Sequence, residues 1–169
     1  MSSKIEAPAC VTEFMSRLYP HIDLDGLNFH QGLPFYVFGK RNAITLGPHI
    51  YFREGKFDPS SCRGIALIAH ELYHVHQGAG GFGFWVLRWF YVRYAWAWLT
   101  GGRKSGRAHP LEAPAYAAAE RIAECCDRVR QATGQAGPCI CEDGSPTGVS
   151  EAFLRAFAAE CPDPLAGDE

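Results

Sequence analysis

Residues 58–81 read DPSSCRGIALIAHELYHVHQGAGG. Asp58-Pro59 is followed by Ser60 and Ser61, hydroxyl residues of the kind that satisfy the exposed N–H groups at a helix start. A mostly apolar run then predicts a buried helix, and Gly78, Gly80 and Gly81 end it. Within that helix stands His70-Glu71-Leu72-Tyr73-His74, an HExxH pattern. Residues four apart share a helix face, so both imidazoles can reach one ion while Glu71 flanks the same edge. Zinc held by two imidazoles and one further protein ligand keeps a fourth position for water. The ion draws that water's pKa toward ~7, and the glutamate takes its proton as general base. A long apolar helix preceded by strand-like sequence is the context this motif demands. The plainer alternative is a pair of histidines satisfied in a core.

A third ligand is required. His76 lies two residues past His74, about 200° around the helix, and so faces away from the same ion. The metzincin pattern needs Gly at position 77 and His at position 80, where this chain has Gln77 and Gly80. The remaining choice is a side chain from a later helix. Glu112 in HPLEAPAYAAAE occupies the first turn of a predicted helix running from near Pro110 to Thr133, stopped by Gly134. Its plainer reading is a first-turn acid complementing the helix dipole. Tyr116, one turn on, is placed to support the ion's surroundings or donate to a developing oxyanion. His109 is the fallback ligand and a second oxyanion donor.

Outward from this centre, Val11, Phe14, Met15 and Leu18 mark an amphipathic helix over 8–19. Phe35-Tyr36-Val37-Phe38 reads as a short strand. Ala43–Leu46 and Ile50–Phe52 flank a Gly47-Pro48 turn as two strands or one bent strand. Residues 134–149 read as a linker, and Ser150 caps a final helix carrying Phe153, Leu154 and Phe157. No internal repeat is present. The fold class is therefore α+β, a mostly helical single domain over 1–169 with its core in about 8–133 and a small β element before the HExxH helix.

The stretch FGFWVLRWFYVRYAWAWL, residues 82–99, holds nine of the chain's 22 aromatic residues, including all four tryptophans. Arg88 and Arg93 would each cost about 2.5–3.5 kcal/mol at a bilayer centre, so no transmembrane span is expected. Core packing is the plain reading. A substrate groove, a partner-docking surface or a membrane-surface contact are the functional ones.

The chain has 169 residues, 47% hydrophobic and 20% charged, which supports a substantial core. Its 16 basic and 18 acidic residues argue against nucleic-acid binding through a global positive field. The opening residues contain no continuous apolar run of the signal-peptide kind. Seven cysteines, an odd count, predict free thiols in a reducing compartment. Cys125, Cys126, Cys139 and Cys141 lack the CxxC spacing of a zinc ribbon. A thiolate from Cys139 or Cys141 reaching the metal's open position is a narrower expectation, a latency device.

The run from Ala43 to Gln77 resembles the zincin-like domain of bacterial proteins linked to extracellular contractile injection systems and polymorphic toxins. Thr45, Gly47, Ile50, Phe52, Gly55, Pro59, Gly64, Ala69, His70, Glu71, Leu72, His74, Val75 and Gln77 carry the likeness. HPLEAPAY is similar to an element of small gluzincin-type proteins. The resemblance implies a metallopeptidase-like fold with His70 and His74 as ligands and Glu71 as base. Tyr116 stands where the thermolysin type has Asp, so the support around the ligand glutamate must differ. The expected activity is zinc-dependent hydrolysis of a protein or peptide substrate. The alternative is a catalytically weak or inactive docking module of a larger secretion or toxin system, against which the presence of Glu71 argues. The expected location is cytoplasmic, or outside after export by specialised machinery.

Overall fold

The computed structural model describes residues 2–37, 41–79, 92–96, 99–100, 106–134 and 151–161. Of these, 57% are helical, and the remainder includes one four-stranded sheet. The fold is α+β and mostly helical, as the residue patterns predict.

The sheet contains β1 (Ser3–Ile5), β2 (Asn28–Gln31), β3 (Ala43–Leu46) and β4 (His49–Phe52), in the order β1-β2-β4-β3. β3 and β4 are two strands joined at Gly47-Pro48, with Thr45 opposite Ile50 and Ala43 opposite Phe52. Gly47 has φ 59°, the left-handed conformation that costs glycine least in so tight a turn. Ala43, Thr45, Ile50, Phe52 and Phe29 are buried on the inner face. Intervening residues point the other way, as strand periodicity requires. β2 lies parallel to β4 and antiparallel to β1.

Residues 35–37 do not form the predicted strand. The Val37 N–H donates to the Pro34 carbonyl at 2.9 Å, closing a turn, and Phe35 is 92% exposed; Phe38 lies outside the described residues. The sheet instead recruits Asn28–Gln31. Its ends are fastened to the hairpin by Asn28 N–H to the Pro48 carbonyl and Gly32 N–H to the Phe52 carbonyl, both 2.8 Å.

Four α-helices have fully described bounds: α1 (Ala9–Leu18), α2 (Cys62–His74), α3 (Glu112–Thr133) and α4 (Glu151–Glu160). α1 buries Val11, Phe14 and Met15, and the Phe14 ring meets Phe153 and Phe157 of α4 edge-on at 5.7 and 5.0 Å. α2 starts as its serines predict: Ser61 Oγ accepts from the Gly64 N–H at 3.0 Å and donates to Asp58 Oδ2 at 2.6 Å. Gly64 lies so close to the preceding loop that a Cβ there would stand 1.7 Å from the Asp58 carbonyl oxygen. α2 continues into a wider π-helical turn, Val75–Ala79, where Gly78 adopts φ 100°. α3 ends at Gly134, φ 66°, the left-handed cap expected there.

The five described cysteines are not the free thiols that the sequence leads one to expect. Cys62 is bonded to Cys126 and Cys125 to Cys161, and Cys10 is also disulfide-bonded. Among the described residues no cysteine is free. The CC pair works as two separate attachment points because adjacent helical residues point about 100° apart, one toward α2 and one toward the end of α4. Cys139, Cys141, Ser150 and nearly all of the 134–149 stretch lie outside the described residues, so the latency device falls there too.

The predicted helix over 82–99 lies mostly outside the described residues; 92–96 and 99–100 are helical. Core packing does not hold for that part. Val92, Trp96 and Leu99 are 48%, 67% and 60% exposed, and of the described side chains there only Tyr94 turns inward. An apolar composition on every side suggests enclosure, yet Val92, Trp96 and Leu99 face outward. Among the described residues no helix is long and apolar enough to cross a membrane.

Two stability predictions follow from these constraints. Replacing both Cys62 and Cys126 by Ala opens a closure spanning 64 residues and should lower the unfolding free energy by about 4 kcal/mol in urea titrations, from restored chain entropy. Gly64→Ala should cost at least about 3 kcal/mol by the same measurement, because the new methyl meets backbone instead of a yielding side chain.

Candidate metal centre

α2 presents His70 and His74 from consecutive turns, with ring centroids 4.9 Å apart. α3 presents Glu112 from its first turn. Glu112 Oε2 is 3.4 Å from His70 Nε2 and 3.4 Å from His74 Nε2. All three residues are buried, and one ligand atom from each lies within 4.8 Å of the others. Among the described residues this is the one group of three or more such side chains with that closeness.

The two carboxylate-to-imidazole distances fit a tetrahedral ion. Nitrogen and oxygen atoms about 2.0–2.2 Å from one zinc at tetrahedral angles stand roughly 3.3–3.5 Å from each other. Two imidazoles and a carboxylate are also a donor set that zinc takes in sites with an open fourth position.

Glu71 is 3% exposed and sits beside the triad, and its Oε2 accepts from the Thr45 hydroxyl at 2.8 Å. The same hydroxyl lies 3.1 Å from the Glu71 carbonyl, so β3 holds both ends of this residue. Burial pushes the Glu71 carboxyl up, against the opposing pull of His74, His70 and the Thr45 hydrogen bond. Burial acts in the same direction on Glu112. There the hydrogen bonds from His70 and His74, with their charges, outweigh it and hold the carboxyl well below its ordinary 4.5. Burial depresses His74, but its bond to Glu112 and the charges of Glu71 and Glu112 leave it raised above 6.5.

The outer contacts show how the Glu112 carboxylate is supported without the thermolysin-type Asp. Tyr94 donates its hydroxyl to Glu112 Oε1 at 3.1 Å, which leaves Oε2 for the histidines. Burial raises the Tyr94 phenol, as does the nearby Glu112 charge, so it remains a donor. Tyr94 stacks on His109 with ring centroids 4.1 Å apart. His109 is fully buried and faces backbone. The Leu111 N–H donates to its Nδ1, so the proton sits on Nε2, which donates to the Tyr94 carbonyl, both at 3.2 Å. Its own carbonyl accepts from the N–H groups of Glu112 and Ala113, at 3.0 and 2.9 Å. His109 thus shapes the start of α3 and lies outside the ligand cluster, away from the fallback role assigned to it above. Tyr116 does lie at the site, its ring 4.5 Å from that of His70, with the Arg107 guanidinium 5.3 Å above it. Burial raises its phenol, which keeps the hydroxyl protonated. His76 is exposed and pairs with His21 Nε2 at 2.6 Å, apart from the triad.

Sequence reasoning assigned no role at the site to Tyr94, Thr45 or Gln77. Thr45 and Gln77 stand among the positions carrying the family resemblance, which is the signal that would have flagged them. Tyr94 is one aromatic among nine in its stretch, and its spacing singles out nothing.

The pair of Glu112 with His74 has a defined pH window in chelator-treated protein. The Glu112 share of stability is present above pH 4.5 and lost as pH falls through its depressed value. The His74 share is full below pH 6.5 and lost as pH rises through its raised value. The melting temperature of metal-stripped protein should therefore decline above pH 6.5, and Glu112→Gln should shrink that decline. An equal decline in the variant would reject the pairing.

No curated protein and no solved structure matches the chain. Residues 8–82 match the family model described as the eCIS core domain, that of the extracellular contractile injection system, and the matched stretch carries His70, Glu71 and His74 while Glu112 lies beyond it.

Proposed function

We propose that this chain is a zinc-dependent metallopeptidase working as a module of a contractile injection system. The observation that carries the reading is the buried triad of His70, His74 and Glu112 with the Glu71 carboxylate beside it. Zinc held by the triad would supply Lewis acidity, polarising a substrate carbonyl and acidifying a water. Glu71 would accept that water's proton, and its buried, high-affinity carboxylate suits the task. Thr45 fixes the carboxylate's orientation through the 2.8 Å hydrogen bond. Tyr116, kept protonated by burial, would donate to the oxyanion as the peptide carbonyl becomes tetrahedral. β3 is an edge strand of the sheet among the described residues and holds Glu71 through Thr45, so an extended peptide added along it would pass beside the base.

The association with an injection system rests on the match of residues 8–82 to the eCIS core domain. The crosslinks Cys62–Cys126 and Cys125–Cys161 favour an oxidising working compartment, which accords with delivery outside the cytosol.

A second reading is a docking module without turnover. Exposed Val92, Trp96 and Leu99, at helical spacing on one segment, favour it, since large apolar side chains gathered on a surface are common at protein contacts.

Purified protein should contain about one equivalent of zinc and cleave protein or peptide substrates. Glu71→Gln should keep the metal and lose cleavage by at least about a hundredfold, the scale on which a general base contributes. Equal turnover in that variant rejects the mechanism, and zinc content without hydrolysis across a broad peptide panel selects the docking reading.

A further inference from the structure

Gln77 lies in the π-helical turn just past the HExxH motif, and its side chain makes two hydrogen bonds whose chemistry fixes one another. Its Nε2 is 2.9 Å from the Leu111 carbonyl oxygen. A carbonyl only accepts, so the amide nitrogen must face Leu111 and the amide oxygen must face the other way. That oxygen, Oε1, lies 2.9 Å from His74 Nδ1. An amide oxygen also only accepts, so Nδ1 of His74 carries a hydrogen. The lone pair of the neutral ring is therefore on Nε2, the nitrogen 3.4 Å from Glu112 Oε2.

The same side chain links two elements. Leu111 immediately precedes Glu112, so the amide ties the end of the HExxH helix to the residue that introduces the third ligand. His70 has no counterpart: its Nδ1 is buried without a hydrogen-bond partner among the described residues.

We propose that Gln77 is a positioning residue for the metal centre, selecting the ligating nitrogen of His74 and holding α2 and the start of α3 in register for a shared ion. The inference rests on the zinc reading above. It goes beyond that reading by assigning the preassembly of the site to one neutral side chain outside the HExxH motif.

The test is zinc affinity, measured on the full chain by competition with a chromophoric chelator, for the unsubstituted protein, Gln77→Met and Gln77→Glu. Gln77→Met keeps the bulk but neither hydrogen bond, and should weaken zinc binding by about 10–100-fold, the usual scale for losing an outer contact to a ligand histidine. Gln77→Glu keeps an oxygen for the His74 Nδ1–H and should recover most of the affinity, although it cannot donate to Leu111. In zinc-loaded protein, nitrogen-15 spectra should show His74 protonated at Nδ1, with that proton protected from exchange by Gln77 and exposed in Gln77→Met. Unchanged affinity in Gln77→Met overturns the inference while leaving the metal centre standing. Equal losses in both variants, with a lower melting temperature of the stripped protein, overturn it in favour of a merely structural role. Failure of the unsubstituted chain to bind zinc overturns the metal reading and this inference together.

Discussion

One carboxylate oxygen stands equally far from two imidazole nitrogens, and all three side chains are nearly sealed from water. Burying an ionised carboxylate costs several kcal/mol unless charge and hydrogen bonds compensate it. Here the compensation is mutual: the histidines lower the proton affinity of Glu112, while Glu112 raises that of His74. A second carboxylate, Glu71, sits against the same group and raises the stakes, since like charges in a dry site repel unless positive partners separate them. The cluster persists because almost every polar atom around it is assigned. Tyr94 takes the outer oxygen of Glu112, Thr45 takes Glu71, and Gln77 takes the far nitrogen of His74.

The scaffold brings together pieces that are distant in the chain. α2 is fixed at its start by Ser61 and by the close approach of Gly64 to the Asp58 carbonyl, and crosslinked from its first residue to α3. Tyr19 donates its buried hydroxyl to the carbonyl of Ala69, at 2.9 Å, immediately before His70. β3 lies against the motif through a side chain instead of a backbone ladder. Each contact constrains α2 from a different direction, which preorganises His70, Glu71 and His74 to converge with Glu112.

Local signals were legible in the sequence and non-local ones were not. The HExxH helix, its serine start and its glycine stop depend on residues within one or two turns of each other, and they stand where the periodicity puts them. The hairpin at Gly47-Pro48 is local in the same sense. β1 and β2 escaped detection because SKI and NFHQ have little apolar alternation, and a parallel partner two strands later in the chain stabilises β2. The run from Phe35 to Val37 misled because apolar residues in a row carry no local signal of whether a sheet will take them up, and here the Val37 N–H closes a turn on Pro34 instead. Glu112 was accessible from its place in a helix start, whereas the hydroxyl steadying it comes from an aromatic stretch whose composition hides its one inward residue. The cysteine count misdirected the pairing reading, since parity says nothing about which thiols the fold brings within reach.

The neighbouring cysteines on α3 have a mechanical meaning. Cys125 and Cys126 are anchored to separate bodies, Cys161 beyond α4 and Cys62 on α2, from directions about 100° apart around one helix. Two tethers at one level but different azimuths resist torque, so α3 cannot roll about its long axis while both remain intact. Glu112 sits about 21 Å along the same rod, fourteen residues away, and inherits that fixed azimuth. A backbone motion of α3 that widens the triad while both bonds hold is thereby biased toward a tilt of its far end, which draws Glu112 back from the histidines.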